Sequence, residues 1–163
     1  MAAGATYEPI ATNTLGSATS SVTFSSIPST YTDLVLVIAG TASAFDGLLT
    51  QVGNGSVDTG SNYSMTVLSG NGSAASSGRE TSHTYANIGL QGADFNTIIH
   101  YMNYANTTTY KTFLARSNSP ANQTRANVGL WRSTSAINTI KINTGSGTIS
   151  SGSVFTLYGI AAA

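Results

Sequence analysis

Ser21-Val22-Thr23-Phe24-Ser25 and, a short way on, Leu34-Val35-Leu36-Val37-Ile38 decide the fold class. In the first stretch Val22 and Phe24 fall on one face and the flanking hydroxyls on the other. That period of two belongs to a half-buried antiparallel strand. In the second stretch every residue is apolar, so both faces of a strand would be. Such a strand suits the middle of a sheet, covered on two sides by a second layer or by a neighbouring subunit.

Outward from these two segments the same signals recur: β-branched and aromatic residues punctuated by Gly, Ser and Asn. Strands are predicted near Tyr7–Leu15, Ser21–Ile27, Asp33–Ala39, Leu48–Val52, Tyr63–Leu68, Thr81–Leu90, Thr97–Asn103, Lys111–Arg116, Asn127–Arg132, Ile137–Ile142 and Val154–Ile160. Asn54-Gly55, Gly70-Asn71-Gly72 and Gly145-Ser146-Gly147 offer the positive φ angles that tight hairpins need. Long loops are expected near Ala42–Gly60 and Ser69–Gly78, and no stretch carries a convincing helical period. The expectation is an all-β chain: one two-sheet β-sandwich of jelly-roll type with about eight to eleven short antiparallel strands. Residues 1–6 read as a flexible N-terminal arm and 7–163 as a single jelly-roll-like domain.

Composition narrows the function. Only 7% of the 163 residues are charged, six acidic against six basic, and there is no Cys. A typical soluble domain carries about 25% charged residues, so most of the usual acid, base and metal-ligand chemistry is missing. Ser, Thr, Asn and Gly fill nearly half the chain instead, and hydroxyls and amides are poor unassisted catalysts near neutral pH. Arg79, Lys111, Arg116, Arg125, Arg132 and Lys141 are scattered singly, whereas binding a nucleic-acid backbone needs clustered cations, so no nucleic-acid partner is expected. The longest apolar run, Leu34–Ala39, is far below the ~20 residues of a membrane-spanning helix, and the first residues lack a signal-peptide pattern. Zero net charge permits close homo-oligomeric packing.

The remaining chemistry is sparse. His83 and His100 lie in different predicted strands, and a catalytic or metal role for either would need partners brought from elsewhere in the fold, so exposed or hydrogen-bonded strand histidines are expected. Asp46, Asp58 and Asp94 are the only basis for a polysaccharide-degrading enzyme, and Asp46 with Asp58 across the 42–60 segment the only basis for Ca²⁺; neither has a recognisable motif. No catalytic residue, cofactor or metal ligand is therefore assigned. Tyr101, Tyr104 and Tyr110, interleaved with Asn103 and Asn106, are of the kind that stacks on sugars, and Trp131 beside Arg132 offers a second stacking pair. These five are the expected interface or glycan-contact residues, with packing in the core or against another subunit preferred over glycan binding.

Several segments together carry a resemblance. Thr6-Tyr7-Glu8-Pro9-Ile10-Ala11-Thr12, Val22-Thr23-Phe24-Ser25-Ser26-Ile27-Pro28, Tyr31-Thr32-Asp33-Leu34, Met102-Asn103-Tyr104, Tyr110-Lys111-Thr112, Gly129-Leu130-Trp131-Arg132 and Phe155-Thr156-Leu157-Tyr158-Gly159-Ile160 resemble small virion structural proteins of tailed phages that infect aquatic, marine and cyanobacterial hosts. The resemblance implies a virion-borne β-sandwich, either a decoration protein on the head or a module on tail fibres and spikes, with Tyr7, Tyr31, Trp131 and Tyr158 as packing positions. The shared segment nearly fills the chain, which suits a free-standing decoration or cement protein. The expected partners are then copies of the chain itself, as a trimer, and the major capsid protein. A fibre or spike module that binds host surface polysaccharide is the alternative.

Overall fold

A computed structural model describes residues 6–161, the side chain of Gln91 excepted. The expected N-terminal arm, up to residue 5, and the last two alanines lie outside the described residues. In chain order the strands are β1 (Tyr7–Thr14), β2 (Ser21–Phe24), β3 (Asp33–Gly40), β4 (Asp46–Asn54), β5 (Ser56–Val57), β6 (Tyr63–Gly70), β7 (Ala75–His83), β8 (Ala86–Gln91), β9 (Phe95–Met102), β10 (Lys111–Ser119), β11 (Gln123–Trp131), β12 (Thr139–Thr144) and β13 (Val154–Ile160). One sheet has eight strands in the order β1-β13-β3-β9-β10-β11-β6-β7. The other has five: β2-β12-β4-β5, with β8 also paired to β4. Every pairing is antiparallel, and no helix occurs among the described residues. The chain is an all-β sandwich of two unequal sheets.

Each expected strand has a counterpart, with three corrections. The stretch Thr81–Leu90 is two strands in different sheets, β7 pairing with β6 and β8 with β4. The supposed loop at Ser69–Gly78 is mostly strand, because β6 runs to Gly70 and β7 starts at Ala75. Almost wholly exposed, β7 is held by backbone hydrogen bonds at a sheet edge and so needs no apolar side chains to betray it. Within the supposed 42–60 loop, β4 is nine residues long and turns at Asn54-Gly55 into β5. The hairpin glycines take the expected left-handed conformation, with φ of 84° at Gly55 and 87° at Gly72; Gly147, at 66°, does too, but the hairpin expected there is absent, because it lies between β12 and β13, which belong to different sheets.

Between the sheets lie the inward residues of each strand: Val22 and Phe24 of β2, Leu34, Leu36 and Ile38 of β3, Ile99 of β9, Phe113 of β10, Ile140 and Ile142 of β12, Phe155 and Leu157 of β13. Burying a side chain of this size contributes ~1.5–3 kcal/mol. Tyrosines tie the layers together, since their rings span the gap and their hydroxyls reach the far side. From β6, Tyr63 donates to the carbonyl of Val52 in β4 at 3.0 Å and accepts from that residue's N–H at 3.0 Å. From β9, the Tyr101 hydroxyl bonds the Thr50 hydroxyl of β4 at 2.9 Å. At one end the Tyr31 ring lies flat over Gly159 of β13, so close that an added Cβ would sit 2.3 Å from it. Pro9 and a bulge between Pro9 and Ala11 blunt the β1 edge, while Arg79 and Glu80 guard the β7 edge.

Candidate functional site

The five expected contact residues do not form one exposed platform. Tyr101 and Tyr104 are completely buried and Trp131 nearly so. Tyr101 packs edge-to-face on Phe113 with ring centres 5.2 Å apart, and Tyr104 donates its hydroxyl proton to the Pro28 carbonyl. The Trp131 indole N–H donates to Asp58 Oδ2 at 2.7 Å. These rings have no face left for a sugar or a subunit, because Tyr101 in β9 and Trp131 in β11 share the phase of the core residues Ile99 and Gly129, and Tyr104, in the loop after β9, is itself wholly buried. Of the other two, Tyr110 is exposed, and Arg132 is half-buried with its guanidinium donating to the Ser61 carbonyl at 2.7 Å.

Asp58 is structural. Burial pushes its pKa up, but hydrogen bonds from Trp131, Asn62 Nδ2 (2.8 Å) and the Gly60 N–H (2.8 Å) outweigh that and hold its carboxyl below the usual range. Its own N–H bonds the Val52 carbonyl, six strand residues along β4 from Asp46. At ~3.3 Å per residue about 20 Å of strand separates Asp46 from Val52, to which Asp58 is tied, against the ~9.5 Å upper limit between paired glycosidase carboxylates. No group of three or more His, Asp or Glu side chains able to hold a metal ion occurs among the described residues.

What the fold does assemble is the outward face of the eight-stranded sheet. Strand register lines up Tyr158, Val35, His100, Leu114, Val128, Thr66 and Arg79 across seven strands. The row beside it runs through Thr156, Val37, Ile98, Arg116, Ala126 and Leu68, and the row on the other side through Met102, Thr112 and Leu130. Among the described residues, six of the eight exposed large apolar side chains lie on this face: Tyr7, Val37, Leu68, Met102, Leu114 and Val128. Tyr7 meets Tyr158 edge-to-face there at 6.1 Å. From β3 to β6 the patch is about 20 Å wide, and three rows make it about 14 Å long, before side-chain margins are added. Patches of several hundred Å² are about the largest that monomers expose, and they often mark interaction sites. Arg79 and Arg116 project from the same face, with Asp33 at the end of β3 as its carboxylate.

The unequal widths of the sheets create a second feature. Beyond β8 the inner face of β6, β7 and β11 is uncovered, leaving a lateral cleft of about 430 Å³ lined by Asp46, Glu80, Asn87 and Arg125 among others. Burial pushes the Arg125 guanidinium's pKa down, against the opposing pull of Asp46 and Glu80. None of these four was singled out as a contact residue from the sequence. A signal was present: Arg125 is in phase with the inward Asn127, Gly129 and Trp131, an odd place for an arginine.

No family model matches the chain, and no curated protein matches it in sequence. Among solved structures it is similar to sucrose-6-phosphate hydrolase from Lactobacillus gasseri, at 14% identity and a TM-score of 0.35 over 88% of this chain. It is also similar to CG-16, a homodimeric agglutinin from chicken liver, at 11% identity and a TM-score of 0.27 over 86% of this chain and 92% of that one. The chain spans only 28% of the length of the hydrolase.

Proposed function

We propose that this chain is a non-enzymatic structural protein of a tailed-phage virion, a capsid decoration or cement protein that binds the major capsid protein as a homotrimer. The observation that supports this reading is the outward face of the eight-stranded sheet. An array of valine, leucine and methionine side chains facing water costs solubility and does nothing for the monomer, whose core is complete without it. Covering it against another protein recovers that burial. Many copies at symmetry-related positions multiply a modest contact per copy, so the role needs adhesion and no active site. Arg79 and Arg116 make the face cationic at two points, which favours a capsid surface that is apolar with acidic residues over a second copy of the same face.

Immunogold labelling of intact particles tests the assignment: labels spread over the head are expected, and labels confined to the tail would overturn it in favour of a fibre or spike module. A Leu114→Asp, Val128→Asp variant isolates the face. It should remain folded and fail to add to particles that lack the protein. Undiminished addition would move the contact elsewhere on the molecule.

A further inference from the structure

The lateral cleft beside β7 concentrates an unusual share of the chain's few charges. In a chain with six acidic and six basic residues, Asp46 of β4, Glu80 of β7 and Arg125 of β11 reach one cavity from three strands. They nevertheless do not neutralise one another by contact. Among the described residues, the sole approach within 4 Å between a carboxylate and a basic side chain is Glu80 Oε2 to His83 Nε2 at 3.1 Å. Asp46 Oδ1 accepts from the Gly47 N–H at 2.6 Å. Arg125 Nε is shut off from solvent and has no hydrogen-bond partner among the described residues. Leaving a guanidinium nitrogen dry and unpaired is unfavourable, and the Arg125 side chain that carries it also lines the open cleft.

The groups that remain specify the acceptor's chemistry. Arg125 donates, and so does Asn87 through Nδ2, since its Oδ1 already accepts from the Gly89 N–H at 3.1 Å. The oxygens Asp46 Oδ2 and Glu80 Oε1 accept. Phe45, half exposed at the mouth, supplies an apolar surface. Two carboxylates against one guanidinium disfavour phosphate, sulfate and other anions, while the guanidinium disfavours a bare cation. Donors and acceptors alternating around an aromatic edge suit a neutral ligand that is itself both donor and acceptor at each oxygen and has a C–H face. The cavity volume of about 430 Å³ lies in the ~300–1,000 Å³ range of small-molecule sites.

We propose that this cleft is a binding site for a neutral carbohydrate, with Arg125 and Asn87 donating to sugar hydroxyls, Asp46 and Glu80 accepting from them, and Phe45 packing on the ring. The site is separate from the outward sheet face and from the buried tyrosines. It would let a particle-bound protein hold host or environmental polysaccharide while its apolar face is occupied.

The test is an array of immobilised neutral, sialylated and sulfated glycans probed with the full chain and three variants. Arg125→Gln removes the guanidinium fork and its charge and shortens the reach of the remaining donor. Gly78→Gln plugs the cleft from the edge strand, where an added Cβ meets nothing within 4 Å, so the fold tolerates it. Leu114→Asp alters only the outward face. The expected result is wild-type binding to one or more neutral glycans, at least tenfold weaker in Arg125→Gln and in Gly78→Gln and unchanged in Leu114→Asp. Absence of wild-type binding, selective binding of acidic glycans, or full binding by a folded Gly78→Gln would each overturn the proposal.

Discussion

The two faces of the eight-stranded sheet are built from the same strands and are both rich in apolar residues, yet only one is a core. On β3, Leu34, Leu36 and Ile38 point inward and are wholly buried, while of the outward residues Val37 is 36% exposed and Val35 only 3%. On β10 the inward Phe113 and Ala115 are buried, whereas the outward Leu114 is 40% exposed. Hydropathy alone does not separate these positions. What separates them is whether a second layer lies opposite, and the five-stranded sheet covers one side only. The outward face thus has core-like composition without a partner inside the chain.

The sharpest way to test that contrast is to truncate matched residues on the two sides. Leu36→Ala should cost ~2–5 kcal/mol in urea unfolding, while Val37→Ala, one residue on, should stay within ~0.5 kcal/mol. Equal costs would mean that the outward face is packed in the isolated protein. Next comes Asp58→Ala, which strands the Trp131 indole N–H inside the sandwich; ~1–3 kcal/mol is expected. Because Asp58 has a lowered carboxyl pKa in the folded protein, its contribution is present above the ordinary range near ~3.9 and is lost as pH falls through the lower folded value. The variant should therefore show a flatter stability profile at acid pH than the parent.

Gly159→Ala follows, at ~1–3 kcal/mol, because the new methyl group meets the Tyr31 ring. A thermal melt identical to the parent's would show that the ring swings away freely.

The alkaline limb gives a subtler readout. Burial raises the phenol pKa of Tyr63, Tyr101 and Tyr104, so the unfolded chain ionises first and stability should fall as pH rises above ~10. Lys111 works the other way. It is buried, its ammonium donating to the Thr109 and Thr134 carbonyls, and desolvation lowers its pKa. The unfolded chain then holds the extra proton, so stability should climb with pH from the lowered value up to ~10.4. Lys111→Met should erase that climb and leave the later fall, as measured by denaturant midpoints across the pH series. A fall that begins below pH 9 in the parent would contradict the tyrosine assignment.

Much of the architecture was legible before any coordinates. The alternation of Val22 and Phe24 placed β2, the all-apolar Leu34–Ile38 marked a strand inside a sheet, and two of the three glycine turns marked hairpins, while Gly145-Ser146-Gly147 follows β12 on the way to a strand of the other sheet. The edge strand β7 was not legible, since Ala75–Gly78 is small and polar, and backbone pairing with β6 leaves no trace in side-chain pattern. For the aromatic-rich segment, packing was the reading preferred over glycan contact. Tyr101 and Tyr104 look like sugar-stacking residues in a list of neighbours, but phase along β9 and the loop after it turns them inward.

Composition and periodicity by themselves determined that the chain is all-β, that it would pack as two layers, and that it carries little of the chemistry an enzyme needs, because these follow from local preference and from which residues alternate. Tertiary structure alone decided which apolar face is covered, which tyrosines are reachable, and that Asp46, Glu80 and Arg125 line one cleft. Those depend on register and on the unequal widths of two sheets, which are set by pairings between strands distant in the chain and so leave no mark on any short stretch of it.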